Sequence, residues 1–372
     1  MPALGGNGLA MRAGVVLELL SRRYDVSLLV VPVYEGPAAI PEELAVRCSR
    51  VVIRPPLGTR PPAPEVVHEL ELVDVVHVFR LVLVPFLERI LPEVRWRTTP
   101  ARLQLDLDDL ESLAWRRLAE LHVQRGESDL ARRAQAESVR FAALEARALR
   151  RFARIYLASP EDADRLRRRL RWRPRRSSAA VHALPNAVRL PPAPPPSRNA
   201  TTARRTVALF VGTLGHLPNV DALSFFCTEV LPRLRGRTRL DIVGACAPEE
   251  VRRLGALPDV RLLGPVPDLA PVYAAADVVV VPLRTGGGTR IKILEAFAHG
   301  RPVVSTPHGA EGLAARHGEH LLIAATPAAF AARCRELIED GALAARLVAN
   351  ARELVTRRYS IDAVSVTVAD TL

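Results

Sequence analysis

Leu283–Ser305 reads LRTGGGTRIKILEAFAHGRPVVS. An apolar run ends, three glycines (Gly286, Gly287, Gly288) turn the chain, and a helix is expected over Thr289–His299 before a second β-rich run, Pro302–Ser305. Glycines let backbone N–H groups approach a ligand closely, and a helix N-terminus favours negative charge. This unit therefore predicts a phosphate or diphosphate site at Gly286–Thr289. Arg290 and Lys292 add cations. Two positions apart on a helix they diverge by about 200°, so both reach one diphosphate only if Arg290 belongs to the loop or the first turn. Lys292 is the only lysine of the chain, all other basic residues being arginine; a generic surface cation here would be arginine too. Glu295 shares a face with Lys292 and His299 and is able to accept from vicinal ribose hydroxyls. The plainer alternative is a Lys292/Glu295 surface ion pair, worth only a few tenths of a kcal/mol in this order.

Outward from this segment, short apolar runs alternate with helical patterns: Val207–Val211, Leu240–Val243, Val260–Leu263, Asp277–Pro282, Pro302–Ser305 and Leu321–Ile323 are expected strands. Helices are expected near 220–234, 248–254, 269–275, 289–299 and 327–338. Continuous apolar strands between helices mean a parallel sheet covered on both faces, so the fold class is α/β with a six-stranded Rossmann-like domain over 206–358. Proline density in Arg189–Arg205 marks a linker. The first half, 1–188, reads as a second Rossmann-like domain, with a helix near Leu9–Arg22, strands at 25–31, 50–54, 75–79 and 102–105, and helical patterns through much of 110–171. Gly5, Gly6 and Gly8 stand where a glycine loop should open its first helix, yet too few residues precede them for the feeding strand, so that strand is expected to be missing, with a gap beside the switch point.

At these residues the chain resembles a family-4 (group 1) glycosyltransferase of the GT-B fold, in which two doubly wound domains face each other across a cleft. Glu295-Ala296-Phe297-Ala298, Gly300 and Pro302-Val303-Val304 match the second half of that family's paired-glutamate signature. The first glutamate falls on Gly287, a departure shared with an exopolysaccharide-associated subgroup that has Gly-Gly-Thr-Arg-x-Lys instead. A second departure follows the first donor-domain strand, where Gly212-Thr213-Leu214-Gly215-His216-Leu217-Pro218-Asn219 lacks the family's usual Arg and Lys. The resemblance implies sugar transfer from a nucleotide-diphosphate donor to a glycan or lipid-linked acceptor, with retention, no cofactor and no essential metal. It places donor contacts at Gly212, Gly264, Val266, Gly286, Gly287, Gly288, Thr289, Glu295 and Glu311. Arg290 and Lys292 take over the diphosphate charge, and with His77 they are the candidate catalytic residues. Gly5 and Gly6 resemble the glycine loop beside donor and acceptor, and the segment 359–372 is expected to return to the first domain. The alternatives are a nucleotide-sugar epimerase or hydrolase on the same fold, and an inactive component of polysaccharide assembly.

Three other features have competing readings. His77 lies near the end of an expected strand and is either a pocket residue or a packed histidine; Arg80 follows it. Asp106-Leu107-Asp108-Asp109 places Asp106 and Asp108 on one strand face, as acceptor or cleft contacts, helix caps, a metal site or a hydrolytic pair. Arg165–Arg176 is dense in arginine around Trp172: either a solvated helix end or a patch for anionic lipid.

Composition bounds the rest. At 372 residues and 49% hydrophobic content, disorder and a disulfide scaffold are excluded. Cys48, Cys227, Cys246 and Cys334 lack metal or redox spacing. The charge of +12 comes with almost exclusive use of arginine and no nucleic-acid motif, so nucleic acid is not an expected partner. Apolar runs are too short to span a bilayer and no signal pattern opens the chain, which predicts a cytoplasmic protein, peripheral at the inner face of the plasma membrane if the arginine patch binds lipid.

Overall fold

The computed structural model describes residues 2–3, 8–32, 40–54, 72–94, 102–171, 179–191, 205–234, 236–369 and 371. The chain forms two compact units, Met1–Asn186 with Ser365–Leu372, and Ala187–Val364.

In the first unit, α1 (Gly8–Ser21) leads to β1 (Ser27–Val30), α2 (Glu42–Ala45) and β2 (Arg50–Ile53). There follow β3 (Val75–Phe79), α3 (Val84–Ile90), β4 (Arg102–Asp108), α4 (Glu111–Gln124), α5 (Ser128–Arg151), β5 (Arg154–Leu157), α6 (Pro160–Arg171) and β6 (Ala180–Ala183). β1 and β2 pair in parallel, while β3, β4, β5 and β6 form a separate four-stranded parallel sheet in that order. Pleating sends Val78, Leu103, Leu105, Ile155, Leu157 and Val181 into one apolar core with Phe141, Leu149 and Leu166 of the helices, and Leu29 of β1 packs against it. The alternate positions carry His77, Gln104, Asp106, Tyr156 and His182 on neighbouring strands. Two strands escape the sequence reading. β5 has only four residues between two long helices, and the continuous helical pattern hides it; β6 has four.

The second unit begins with β7 (Thr206–Val211) and α7 (Leu217–Phe225), which widens into a π turn at Phe226–Val230 and then tightens into a 3-10 turn at Leu231–Leu234. Next come β8 (Thr238–Val243), α8 (Glu249–Leu254), β9 (Val260–Gly264), α9 (Ala270–Ala275), β10 (Val278–Val281) and α10 (Ile291–Ala298). The unit continues with β11 (Val303–Ser305), β12 (Leu322–Ile323), α11 (Pro327–Glu339), α12 (Gly341–Arg358) and α13 (Ile361–Val368). All six strands are parallel, ordered β9-β8-β7-β10-β11-β12. The four valines of β10 are wholly buried, each worth about 1.5–3 kcal/mol of apolar burial. The winding reverses between β7 and β10, which opens a crevice at the carboxyl ends of these two strands, where ligands bind open α/β sheets.

The expected six strands of this half are therefore the observed ones, and the expected helices lie within a few residues of α7 to α11. α12 and α13 extend the helical content beyond the expected end at 338. Asp340 starts α12 by accepting from Leu343 N at 2.9 Å. The C-terminal segment departs later than expected: Tyr359 O accepts from Val188 N at 2.8 Å, keeping 359–364 with the second unit. Beyond it, Thr371 O accepts from Arg154 Nη1 at 2.7 Å and from the Tyr156 hydroxyl.

Candidate functional site

The crevice of the second unit is built by the loops after β7, β10 and β11 and by the start of α10. Gly286 and Gly288 have φ of 112° and 67°, conformations that cost a glycine little and an L side chain more. Arg290 is the N-cap residue of α10 and no side chain caps the helix, so Arg290 does belong to the loop. Its guanidinium folds back: Nη1 donates to Gly288 O at 2.6 Å and to Gly287 O, and Nη2 lies 3.0 Å from His308 Nε2. That ring nitrogen is also 3.1 Å from Gly286 O, while Nδ1 lies 3.5 Å from Glu311 Oε2. Arg284 adds a bidentate ion pair, 2.9 and 2.5 Å, to the buried Asp221 of α7. The glycine loop is thus held from three sides.

Lys292 is the second residue of α10, in its first turn. Its Nζ donates to Asn219 Oδ1 at 2.9 Å and stands 4.1 Å from the centre of the Phe210 ring. Asn219 Nδ2 in turn donates to Thr213 O at 2.8 Å. A Cβ on Gly212 would lie 2.9 Å from Lys292 Nζ and 3.0 Å from Asn219 Nδ2, so the glycine after β7 makes room for the lysine. Burial, then the charge of Arg290, lowers the Lys292 pKa to about 7, against the opposing pull of Glu295. Burial raises Glu295 to about 7, with Lys292 and Tyr273 opposing. Tyr273 stacks on His299 at 4.6 Å and is itself wholly buried. Lys292 takes Asn219 as its hydrogen-bond partner inside the crevice, which replaces the alternative of a surface pair with Glu295. His216 reaches solvent yet is held down to about 4, first by desolvation and then by Lys292 and Arg290.

The other expected donor contacts lie in the same unit. Gly264 ends β9 at φ 72°, its carbonyl accepting from Gly244 N at 3.0 Å, and Val266 follows in the half-buried loop. Thr289 precedes the Arg290 cap, and Glu311 faces His308.

Of the first-unit candidates, Gly5 and Gly6 lie outside the described residues. Asp106 is wholly buried and accepts from Arg12 Nε at 3.0 Å and Nη2 at 2.8 Å; Arg12 Nη1 also reaches Leu184 O and Asn186 Oδ1, both at 2.9 Å. Arg80, at φ 81°, lies 3.3 Å from both Asp108 Oδ2 and Asp109 Oδ1 and bonds Glu111. Burial raises Asp109 to about 7, Arg80 opposing and Asp108 and Glu111 adding to the rise. These carboxylates are engaged by two arginines, and among the described residues no cluster of three or more His, Cys, Asp or Glu side chains is arranged for a metal ion. His77 stands two residues before the end of β3, its Nδ1 3.2 Å from Gln104 Oε1 and its ring stacked 5.8 Å from Tyr156; burial lowers its pKa.

In the arginine segment, Arg165 pairs with Asp162 and Arg167 with Asp164, each at 2.7 Å, and Arg169 pairs with Glu145 at 2.5 Å. Residues 172–178, Trp172 included, lie outside the described residues. No described helix is long and apolar enough to cross a membrane.

Asn219, Asp221, Arg284 and His308 were not singled out by sequence. Only Asn219 carried a signal, as the last residue of the segment where the family's usual cations are absent. The others are recognised by what they touch.

Residues 205–340 match the family described as "Glycosyl transferases group 1". An uncharacterized 44.6 kDa protein in the cps region of Klebsiella pneumoniae is 28% identical over 134 residues, which are 33% of this chain and 34% of that protein. The chain thus spans about a third of the curated relative it matches. Among solved structures, sucrose-phosphate synthase from Thermosynechococcus elongatus has a TM-score of 0.69 at 17% identity, over 96% of this chain and 90% of the other. Anabaena HepE in complex with UDP and glucose has a TM-score of 0.65 at 17% identity, over 100% and 97%. A glycosyltransferase from Rickettsia africae has a TM-score of 0.65 at 13% identity, over 100% and 95%. These likenesses speak for the fold: the chain has the GT-B fold, and its residues 205–340 are similar to the group 1 glycosyl transferases.

Proposed function

We propose that the chain transfers a sugar from a nucleoside-diphosphate donor to a glycan or lipid-linked acceptor, with retention at the anomeric carbon and without a resident metal, in cytoplasmic surface-polysaccharide synthesis. The observation that carries this reading is the uncapped start of α10, with Gly286–Gly288 before it and Arg290 and Lys292 at it, in the switch-point crevice. The capsule-region relative supports a polysaccharide, and the complex of HepE makes UDP the first nucleotide to try.

As the glycosidic bond breaks, negative charge grows on the departing diphosphate. Backbone N–H groups of the loop and fixed cations stabilise that charge more than they stabilise the ground state. Lys292, near 7 without ligand, rises beside a bound anion and carries its ammonium in the complex. Glu295 is assigned to the ribose hydroxyls. The acceptor is assigned to the first unit, at the carboxyl ends of β3 and β4, where Arg80, Asp108 and Asp109 stand. Arg165, Arg167 and Arg169 are ion-paired, and a lipid contact is assigned to the arginines of 165–176 as a group. Replacing that group by glutamine should release the protein from anionic vesicles, and equal retention of both forms removes the membrane reading.

Lys292→Ala should lower transfer by roughly a hundredfold or more in a protein that still unfolds cooperatively. Calorimetric titration with UDP, GDP and ADP without metal should show binding by the wild type that the variant loses. An unaltered transfer rate in Lys292→Ala refutes the diphosphate role.

A further inference from the structure

His308 has no part in the transfer scheme above, yet its place is tightly specified. Thr306 Oγ1 donates to Leu283 O and accepts from Gly309 N at 2.9 Å, and a Cβ on Gly309 would come within 2.7 Å of Val281 O. The backbone on both sides of His308 is therefore fixed against the end of β10, and the imidazole is presented to the glycine loop. One ring nitrogen, Nε2, meets both Arg290 Nη2, at 3.0 Å, and Gly286 O, at 3.1 Å. A guanidinium only donates and a carbonyl oxygen only accepts. Nε2 thus satisfies Arg290 when it bears a lone pair and Gly286 when it bears a proton, never both. The other nitrogen, Nδ1, faces Glu311 Oε2 at 3.5 Å; that carboxylate favours the tautomer with its proton on Nδ1 and also favours the doubly protonated ring.

We propose that His308 is a positioning residue of the diphosphate site: neutral, it holds Arg290 Nη2 against the glycine loop; protonated, it bonds Gly286 O instead and turns Arg290 Nη2 over to the arriving anion, so that donor binding takes up a proton at His308. This rests on the reading of Gly286–Lys292 as the diphosphate site. Balance is simple, since the proton comes from solvent and no covalent bond other than N–H forms. Arg290 from the α10 cap and Glu311 from its own loop face the ring, the guanidinium opposing a second proton and the carboxylate favouring it. Lys292, Glu295 and His216 titrate in the same crevice and contribute to any proton count, which makes the informative quantity a difference between wild type and a His308 variant.

The test is titration calorimetry of wild type and His308→Gln with UDP, GDP and ADP, in buffers of different ionisation heat. Glutamine bonds either partner but does not titrate. Wild type should take up more protons than the variant, by as much as about one per site, and its affinity should gain up to about tenfold more per pH unit on acidification. Equal proton counts in two binding-competent proteins overturn the inference and leave the diphosphate site standing. No binding by folded wild type removes the site and this inference together. Nitrogen NMR of the His308 ring in wild type serves if the variant fails to fold: Nδ1–H alone is expected without ligand and both N–H groups with it. An Nε2–H tautomer in the free protein overturns the inference.

Discussion

At the scale of single residues, Arg12 and Lys292 show two fates of a buried cation. Arg12, 2% exposed, spends its donors on Asp106, Leu184 O and Asn186, and so ties α1 to the end of β4 and to the segment after β6. Removing one partner of such a pair leaves an uncompensated charge in the interior. Arg12→Ala should cost about 3–5 kcal/mol in urea unfolding, whereas Arg12→Met combined with Asp106→Leu should recover most of that loss. A loss by the double variant equal to that of Arg12→Ala would count against the ion pair as the cause. Lys292 was legible in the sequence because it is the one lysine in an arginine-using chain. Its partner Asn219, 73 positions away, was not, since nothing local distinguishes an asparagine that accepts from a lysine from one that ends a turn. Arg12 shared that invisibility: on a helix of apolar residues a lone arginine reads as the solvent edge until β4 supplies the carboxylate.

Among elements, legibility followed how much each segment's neighbours repeat its message. β7 to β11 are short apolar runs bounded by turns and helices, so burial on both faces is written in composition alone. β5 and β6, four residues each beside long helices, carry no alternation long enough to be told from helix. The loop after β11 shows the same limit for a site: Gly309 looks like any glycine in a turn, yet a Cβ there would lie 2.4 Å from Ser305 Oγ and 2.7 Å from Val281 O. Gly309→Ala should therefore push β11 and its loop away from β10, at a cost of about 1–3 kcal/mol. Gly341 at the start of α12 has open space around its Cβ direction, and Gly341→Ala should be neutral or stabilising by about 0.5 kcal/mol. Denaturant midpoints of the two variants check the contrast; equal effects would show that the crowding at Gly309 is relieved without strain.

For the molecule as a whole, the crevice is a place where stability is given up for charge. Lys292 is lowered to about 7 and Glu295 raised to about 7 in the ligand-free fold, and the two act on stability in opposite pH windows. Glu295 binds its proton more tightly folded than unfolded, so its contribution is complete below its ordinary carboxylate value and is lost as pH rises to about 7. Lys292 binds its proton less tightly folded than unfolded, so its penalty is full at low pH and is relieved as pH rises from about 7 toward its ordinary value. The two together predict a dip near neutrality in the pH dependence of the thermal midpoint. A bound nucleoside diphosphate should shrink the dip, because the anion raises Lys292 and relieves its burial. Lys292→Met with Glu295→Gln, which keeps the shapes and removes both titrations, should flatten it. Midpoints measured from about pH 5 to about pH 9 decide the matter: a profile shared by wild type and the double variant would mean that the pair titrates as it does in the unfolded chain.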